Sequence, residues 1–202
     1  NVAKVKEEKK GYEAVMEELN KQYGKTTVIS FSDKIRDSYE VIPTGSIGID
    51  HMVLGIGGFA KGKIYEIRGW KGANKTTICG HLVANCQKQG GKVLYIDSEH
   101  AVDLQYFSQL GVDSDNLYFS QPDYGEMGFE VALQLINTGE LDLVIIDSDS
   151  GLIPKVIMEG EIGAATIGKK AKLNSDCYPK LKVACEKNNT CVVVVSQYRD
   201  KI

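Results

Sequence analysis

The segment Gly69-Trp70-Lys71-Gly72-Ala73-Asn74-Lys75-Thr76-Thr77 gathers glycines, two lysines and two hydroxyls into nine residues. It fits the phosphate-cradling pattern GxxxxGK(S/T) at every fixed position but one, with Asn74 in place of the second glycine. The chemistry asks for these types. Backbone N–H groups at a helix start surround phosphate oxygens, and the helix dipole favours negative charge there. Lys75 supplies a cation for the β and γ phosphates, and the Thr76 hydroxyl is a ligand for Mg2+. If position 74 needs a positive φ, Asn is the least costly replacement for glycine, although its side chain adds bulk beside the phosphates.

Two further acidic stretches suit the same chemistry. Val144-Ile145-Ile146-Asp147-Ser148 is an apolar run ending in a carboxylate, the Walker B arrangement, and Asp147 would hold the Mg2+. An aspartate that merely ends a strand and opens a turn is the plainer alternative. The glycine loop upstream favours the metal role. Tyr95-Ile96-Asp97-Ser98-Glu99-His100 adds two more carboxylates, either of which could orient the water that attacks the γ-phosphate. Asp97 and Glu99 qualify equally by type, and either could instead cap the following helix.

These residues need strands to end on and helices to start from, and the pattern supplies both. Strands are expected at Lys63–Arg68, Lys92–Ile96, Asn116–Ser120, Leu141–Ile146 and Thr190–Ser196. Helices are expected from the glycine loop through about Gln87, at Ala101–Leu110, around Gly125–Asn137 and around Lys169–Asn188. Alternation of this kind predicts an α/β fold, a mostly parallel sheet flanked by helices. Ahead of it, Tyr12, Val15, Met16, Leu19 and Tyr23 mark one face of a helix over residues 1–24, stopped by Gly24. Thr26–Phe31 reads as a short strand. This N-terminal piece packs either on its own domain or on a neighbouring subunit.

The totals set bounds. At 202 residues, 43% hydrophobic and 25% charged, the chain can bury one medium core. A net charge of −3 excludes a generally basic nucleic-acid coat but not a local basic surface. No apolar run approaches the ~20 residues of a membrane span, and residues 1–10 are too charged for a signal peptide. Five cysteines without CxxC spacing read as buried free thiols, and the three histidines form no ligand-spaced pair. A cytoplasmic protein without a membrane partner follows.

With these residues in place, the chain resembles the bacterial and phage RecA-type DNA recombinases over nearly its whole length. Residues 42–50 (IPTGSIGID), 57–67 (GGFAKGKIYEI), 95–103 (YIDSEHAVD), 110–116 (LGVDSDN), 120–126 (SQPDYGE) and 159–163 (EGEIG) carry the resemblance. Residues 21–33 (KQYGKTTVISFSD) are similar to the segment that joins neighbouring protomers, which favours the intersubunit role. The resemblance implies residues 1–33 for protomer docking and 34–202 as a RecA-type ATPase core, ending within the second DNA-binding loop with the C-terminal part absent. It assigns ATP to Gly69–Thr77, Mg2+ to Thr76 and Asp147, catalysis to Glu99, Lys75 and Gln197, and adenine contacts to Asp103 and Tyr106. Gln197 would sense the γ-phosphate and relay it to the DNA loops.

Residues 159–168 correspond to the first DNA loop, and Lys169, Lys170, Lys172 and Arg199 are the implied DNA contacts. From Lys155 to Lys182 six lysines face three acids, a local excess suited to phosphates or simply a solvated helix face. The implied function is ATP-dependent filament formation on single-stranded DNA, with homologous pairing and strand exchange with duplex DNA. A helicase-like RecA-fold motor, or a nucleotide-binding assembly subunit with little hydrolysis, are the alternatives. The chain departs from the family pattern at Asn74, at Lys71 (often an acid), at Asp149 (an apolar position) and at Ser196 (usually Asn). Asp149 would cost several kcal/mol if buried unpaired.

Overall fold

A computed structural model describes residues 2–24, 27–28, 39–161 and 167–198. The chain divides into two compact units, residues 1–39 and 40–202. In the first, helix α1 (Val2–Tyr23) ends at Gly24, whose φ of 118° and N–H donating to the Asn20 carbonyl (3.1 Å) close the helix. Asn20 then clamps the outgoing chain, exchanging two 2.8 Å hydrogen bonds with the Val28 backbone. Tyr12, Val15 and Tyr23 of the expected apolar face are exposed. Of the strand expected at Thr26–Phe31, Thr27 and Val28 lie in a bend and the remainder lies outside the described residues.

The second unit opens with a small antiparallel pair, β1 (Val41–Ile42) with β2 (Phe59–Ala60). Between them the Asp50 carboxylate is buried and accepts from the Thr44 amide (2.9 Å), the Thr44 hydroxyl (2.8 Å) and the Gly45 amide (3.0 Å). That closure explains why threonine, glycine and aspartate stand at this spacing in residues 44–50.

All five expected core strands form and all pair in parallel: β3 (Ile64–Gly69), β4 (Val93–Asp97), β5 (Leu117–Ser120), β6 (Leu143–Asp147) and β7 (Cys191–Gln197). Their order across the sheet is β3-β7-β6-β4-β5. Side chains alternate between two cores. Val93, Tyr95, Leu143, Ile145, Val193 and Val195 face α2 (Lys75–Lys88) and α3 (Leu104–Gln109). Leu94, Ile96, Val144, Ile146, Val192 and Val194 face α4 (Gly125–Ile136) and the long helix α6 (Lys169–Asn188), which follows the short α5 (Lys155–Met158). Burial on both faces is why these strands read as continuous apolar runs. Each such Val, Leu or Ile contributes about 1.5–3 kcal/mol on leaving water.

Several boundaries differ from expectation. Each strand begins one or two residues later, and β3, β4, β6 and β7 run one residue further than the apolar pattern, because the ladder continues through Gly69, Asp97, Asp147 and Gln197 at the carboxyl edge. The helix expected from Ala101 begins instead at Leu104, where the Asp103 side chain caps it by accepting from the Gln105 and Tyr106 amides. The cysteines are free thiols; Cys79, Cys86, Cys185 and Cys191 are buried. Burial pushes the Cys86 thiol up to about 12. No helix among the described residues is long and apolar enough to cross a membrane.

Candidate functional site

Ligands of open parallel sheets bind beyond the carboxyl ends of the strands. There β3 delivers the glycine loop, β4 Asp97 and Glu99, β6 Asp147, and β7 Gln197. The loop turns at Gly72, with φ of 80° and open space where a Cβ would stand. Asn74 sits in the left-handed region, φ 56° and ψ 28°, so the position does demand a positive φ and asparagine meets it. Its side chain makes no capping hydrogen bond to α2. The first-turn N–H groups therefore keep their directionality toward an anion at the helix start. Lys75 is buried, its Nζ donating to the Gly69 (3.1 Å) and Trp70 (2.8 Å) carbonyls. Trp70 and Lys71 are exposed on the loop, Trp70 resting near Tyr198 with ring centroids 5.5 Å apart.

Thr76 and Asp147, 71 positions apart in sequence, meet directly: the Thr76 hydroxyl donates to Asp147 Oδ2 at 2.7 Å. The buried Tyr95 hydroxyl donates to the same oxygen at 2.8 Å. Burial raises the Asp147 carboxyl above its ordinary value, against the two hydroxyls that lower it. A bound divalent cation would reverse that balance, and a hydroxyl beside a carboxylate is a hard oxygen donor set that suits Mg2+. Tyr95 was not picked out from sequence. The available signal was a phenol inside an otherwise apolar strand, since a buried Tyr hydroxyl usually finds a partner.

The two remaining acids separate. Asp97 is buried and accepts from the Ala101 and Val102 amides (both 3.2 Å) and from Gln121 Nε2 (3.1 Å), bracketing the loop that follows β4. Glu99 is exposed on that loop. Its Oε1 accepts from Gln197 Nε2 (2.7 Å), from the Ser150 hydroxyl (3.2 Å) and from the Ser148 hydroxyl. Neither acid caps α3. Ser148 and Ser150 are additions that sequence reasoning missed. The loop carrying them passes so close to Ser98 that a Cβ on Gly151 would lie 2.3 Å from the Ser98 hydroxyl and 2.7 Å from its carbonyl oxygen.

Tyr106 is brought to the P-loop helix, its hydroxyl 3.1 Å from that of Thr77, while the Asp103 carboxylate is taken up by its capping role. The implied DNA residues are more scattered. Lys172 is exposed and Lys169 half-buried at the start of α6. Lys170 is turned inward onto the Leu152 carbonyl (2.5 Å) and toward Asp149 (3.6 Å), which is at odds with a free phosphate contact. Asp149 is accordingly not unpaired. Arg199 and residues 162–166 lie outside the described residues.

The model of the RecA N-terminal domain family matches residues 10–202. The chain belongs to the RecA family. It is 44% identical over 196 residues to Protein RecA of Aquifex aeolicus, covering 97% of this chain and 56% of that protein. Protein RecA of Mycobacterium marinum is 42% identical over 201 residues, 100% of this chain and 58% of its own length. Protein RecA of Nautilia profundicola is 45% identical over 193 residues. The chain thus spans somewhat more than half the length of these RecA relatives, and the strands and loops described above belong to their matched portion.

Proposed function

We propose that this RecA-family protein is a DNA-dependent ATPase of homologous recombination, which forms a filament on single-stranded DNA and pairs it with homologous duplex DNA in the cytoplasm. The observation that carries the reading is the 2.7 Å hydrogen bond from Gln197 to Glu99. It joins the expected water-orienting acid to the residue from which the chain continues toward the second DNA loop.

In this reading the loop amides and Lys75 grip the triphosphate, with Lys75 exchanging the Gly69 and Trp70 carbonyls for phosphate oxygens. Thr76 and Asp147 would hold Mg2+, which would supply positive charge to the oxygens of the transferring phosphoryl group. Ser148, Ser150 and Gln197 occupy Oε1 of Glu99, which leaves Oε2 to accept a proton from the attacking water. A γ-phosphate competing for Gln197 would free it from Glu99, a local switch that reports nucleotide state. Tyr106, beside Thr77 of the P-loop helix, is the proposed stacking partner of the base, and Lys169, Lys172 and Arg199 are the proposed phosphate contacts on DNA. The exposed Tyr12, Val15 and Tyr23 supply the apolar face for a neighbouring protomer.

The test is ATP hydrolysis with and without single-stranded DNA. DNA should stimulate turnover in the parent protein. Lys75→Ala and Glu99→Gln should each lower the stimulated rate by about 10²–10³-fold. Glu99→Gln should still bind ATP. Nucleotide binding without turnover in the parent protein would sink the catalytic claim and favour an assembly subunit.

A further inference from the structure

The ATP chemistry above makes no use of a polar cluster at the start of α6. Lys170 Nζ donates to the backbone carbonyls of Asp149 and Leu152 and stands 3.6 Å from Asp149 Oδ1. The Asp149 carboxylate also accepts from the Tyr178 hydroxyl (2.8 Å) and from Asn174 Nδ2 (3.1 and 3.3 Å). Lys170, Asn174 and Tyr178 follow one another at four-residue spacing, one stripe of α6 aimed at a single turn. A cavity of about 390 Å³ borders Asp149, Asn174, Tyr178 and Gln197, leaving room for that turn to shift.

The turn itself faces two ways. Ser148 and Ser150 present hydroxyls to Glu99, while Asp149 between them presents its carboxylate to α6. An ammonium has three N–H donors. Those of Lys170 have two carbonyls as inward acceptors, and the Asp149 carboxylate 3.6 Å away pairs with the charge, so the ammonium is directed at the turn and away from a nucleic-acid phosphate. Burial lowers the Lys170 ammonium, against the Asp149 charge that raises it. Such a partly buried pair tolerates few alternative geometries, because removing one member strands the other.

We propose that Lys170 is a positioning residue rather than a DNA ligand: paired with Asp149, it ties the turn that orients Glu99 to the helix that follows residues 159–168. The pair thereby couples the nucleotide site to the first DNA loop. The inference rests on the ATPase reading above and adds a second route beside Gln197.

The experiment uses the intact protein and the variants Lys170→Met, Asp149→Asn and their double. Each single variant should lower kcat of DNA-stimulated ATP hydrolysis by about tenfold or more, as a displaced catalytic group does, with KM for ATP unchanged. The double variant should lose no more than either single one. The salt dependence of single-stranded DNA binding should keep its slope in Lys170→Met. In Lys172→Ala it should flatten by about 0.7, the amount for one lost phosphate contact. A flattened slope with unchanged kcat in Lys170→Met, or single losses that multiply in the double variant, would overturn the proposal.

Hydrogen exchange decides the pair even if the parent protein proves inactive, a result that would sink the ATPase reading instead. The Leu152 amide bonds to Asp149 and the Lys172 amide to Gly168, one on each side of the pair. Both should exchange about tenfold faster in either single variant. Acceleration confined to the mutated side would show that nothing is transmitted.

Discussion

At the carboxyl edge of the sheet, the ends of β4 and β6 carry the same side chain in the same register, Asp97 opposite Asp147. Both are buried. They differ in what donates to them. Asp97 receives two backbone amides, donors whose positions are set by the chain itself, and the Gln121 carboxamide. Asp147 receives two hydroxyls, from Thr76 and Tyr95, which can rotate away and also accept. Fixed amides make the first carboxylate part of the frame; rotatable hydroxyls would let the second exchange a partner for a cation, as its proposed role requires. Residue type and strand position alone do not distinguish frame from site.

Substitutions can break this comparison. The largest expected effect is on turnover: Asp147→Asn should lower ATP hydrolysis by about 10²–10³-fold. Its effect on stability should run the other way. Because burial raises the folded-state pKa of Asp147, its contribution to stability is full below the ordinary value of 3.8 and is lost as pH rises through the folded value. Asp147→Asn should therefore gain in melting temperature relative to the parent as the buffer moves from pH 4 to pH 7, measured without nucleotide. A gain that shrinks with rising pH would contradict the assignment.

Asp97→Ala should do the opposite, costing about 2–4 kcal/mol in denaturant unfolding, since two amides lose a buried acceptor. If Asp97→Ala leaves stability intact but abolishes turnover, the contrast drawn between the two aspartates is wrong. Tyr95→Phe removes one hydroxyl from Asp147 and should cost about 1 kcal/mol by the same measurement. Asn74→Gly should be the mildest. Glycine also adopts φ near 56°, so unfolding free energy should change by only about a few tenths of a kcal/mol, with turnover within about threefold of the parent. A large rise in turnover would mean that the Asn74 side chain, and not its backbone, limits hydrolysis.

Much of this was legible in the linear text. The three central strands announced themselves because a sheet covered on both faces leaves no room for polar residues, as in Val192–Val195. The glycine loop was legible because a turn with positive φ at Gly72 and Asn74 restricts residue choice sharply. The start of α3 was not, because Asp103 outcompetes the apolar periodicity that reaches back to Ala101. The inward turn of Lys170 was hidden for a different reason. A lysine in a basic stretch looks solvated, and its inward pairing depends on Asp149, which lies 21 positions away.

By itself the sequence determined the alternation of strands and helices, the phosphate loop and the family, since each depends on local spacing and on short-range backbone preference. The tertiary structure decided which donors each carboxylate receives, that Glu99 meets Gln197 across 98 positions, and that Lys170 faces inward. These are pairings of polar groups brought together by parallel strands whose order is not their order in the chain. The partner of a buried charge is set by that three-dimensional neighbourhood, because desolvation makes an unpaired group costly wherever its partner happens to lie in sequence.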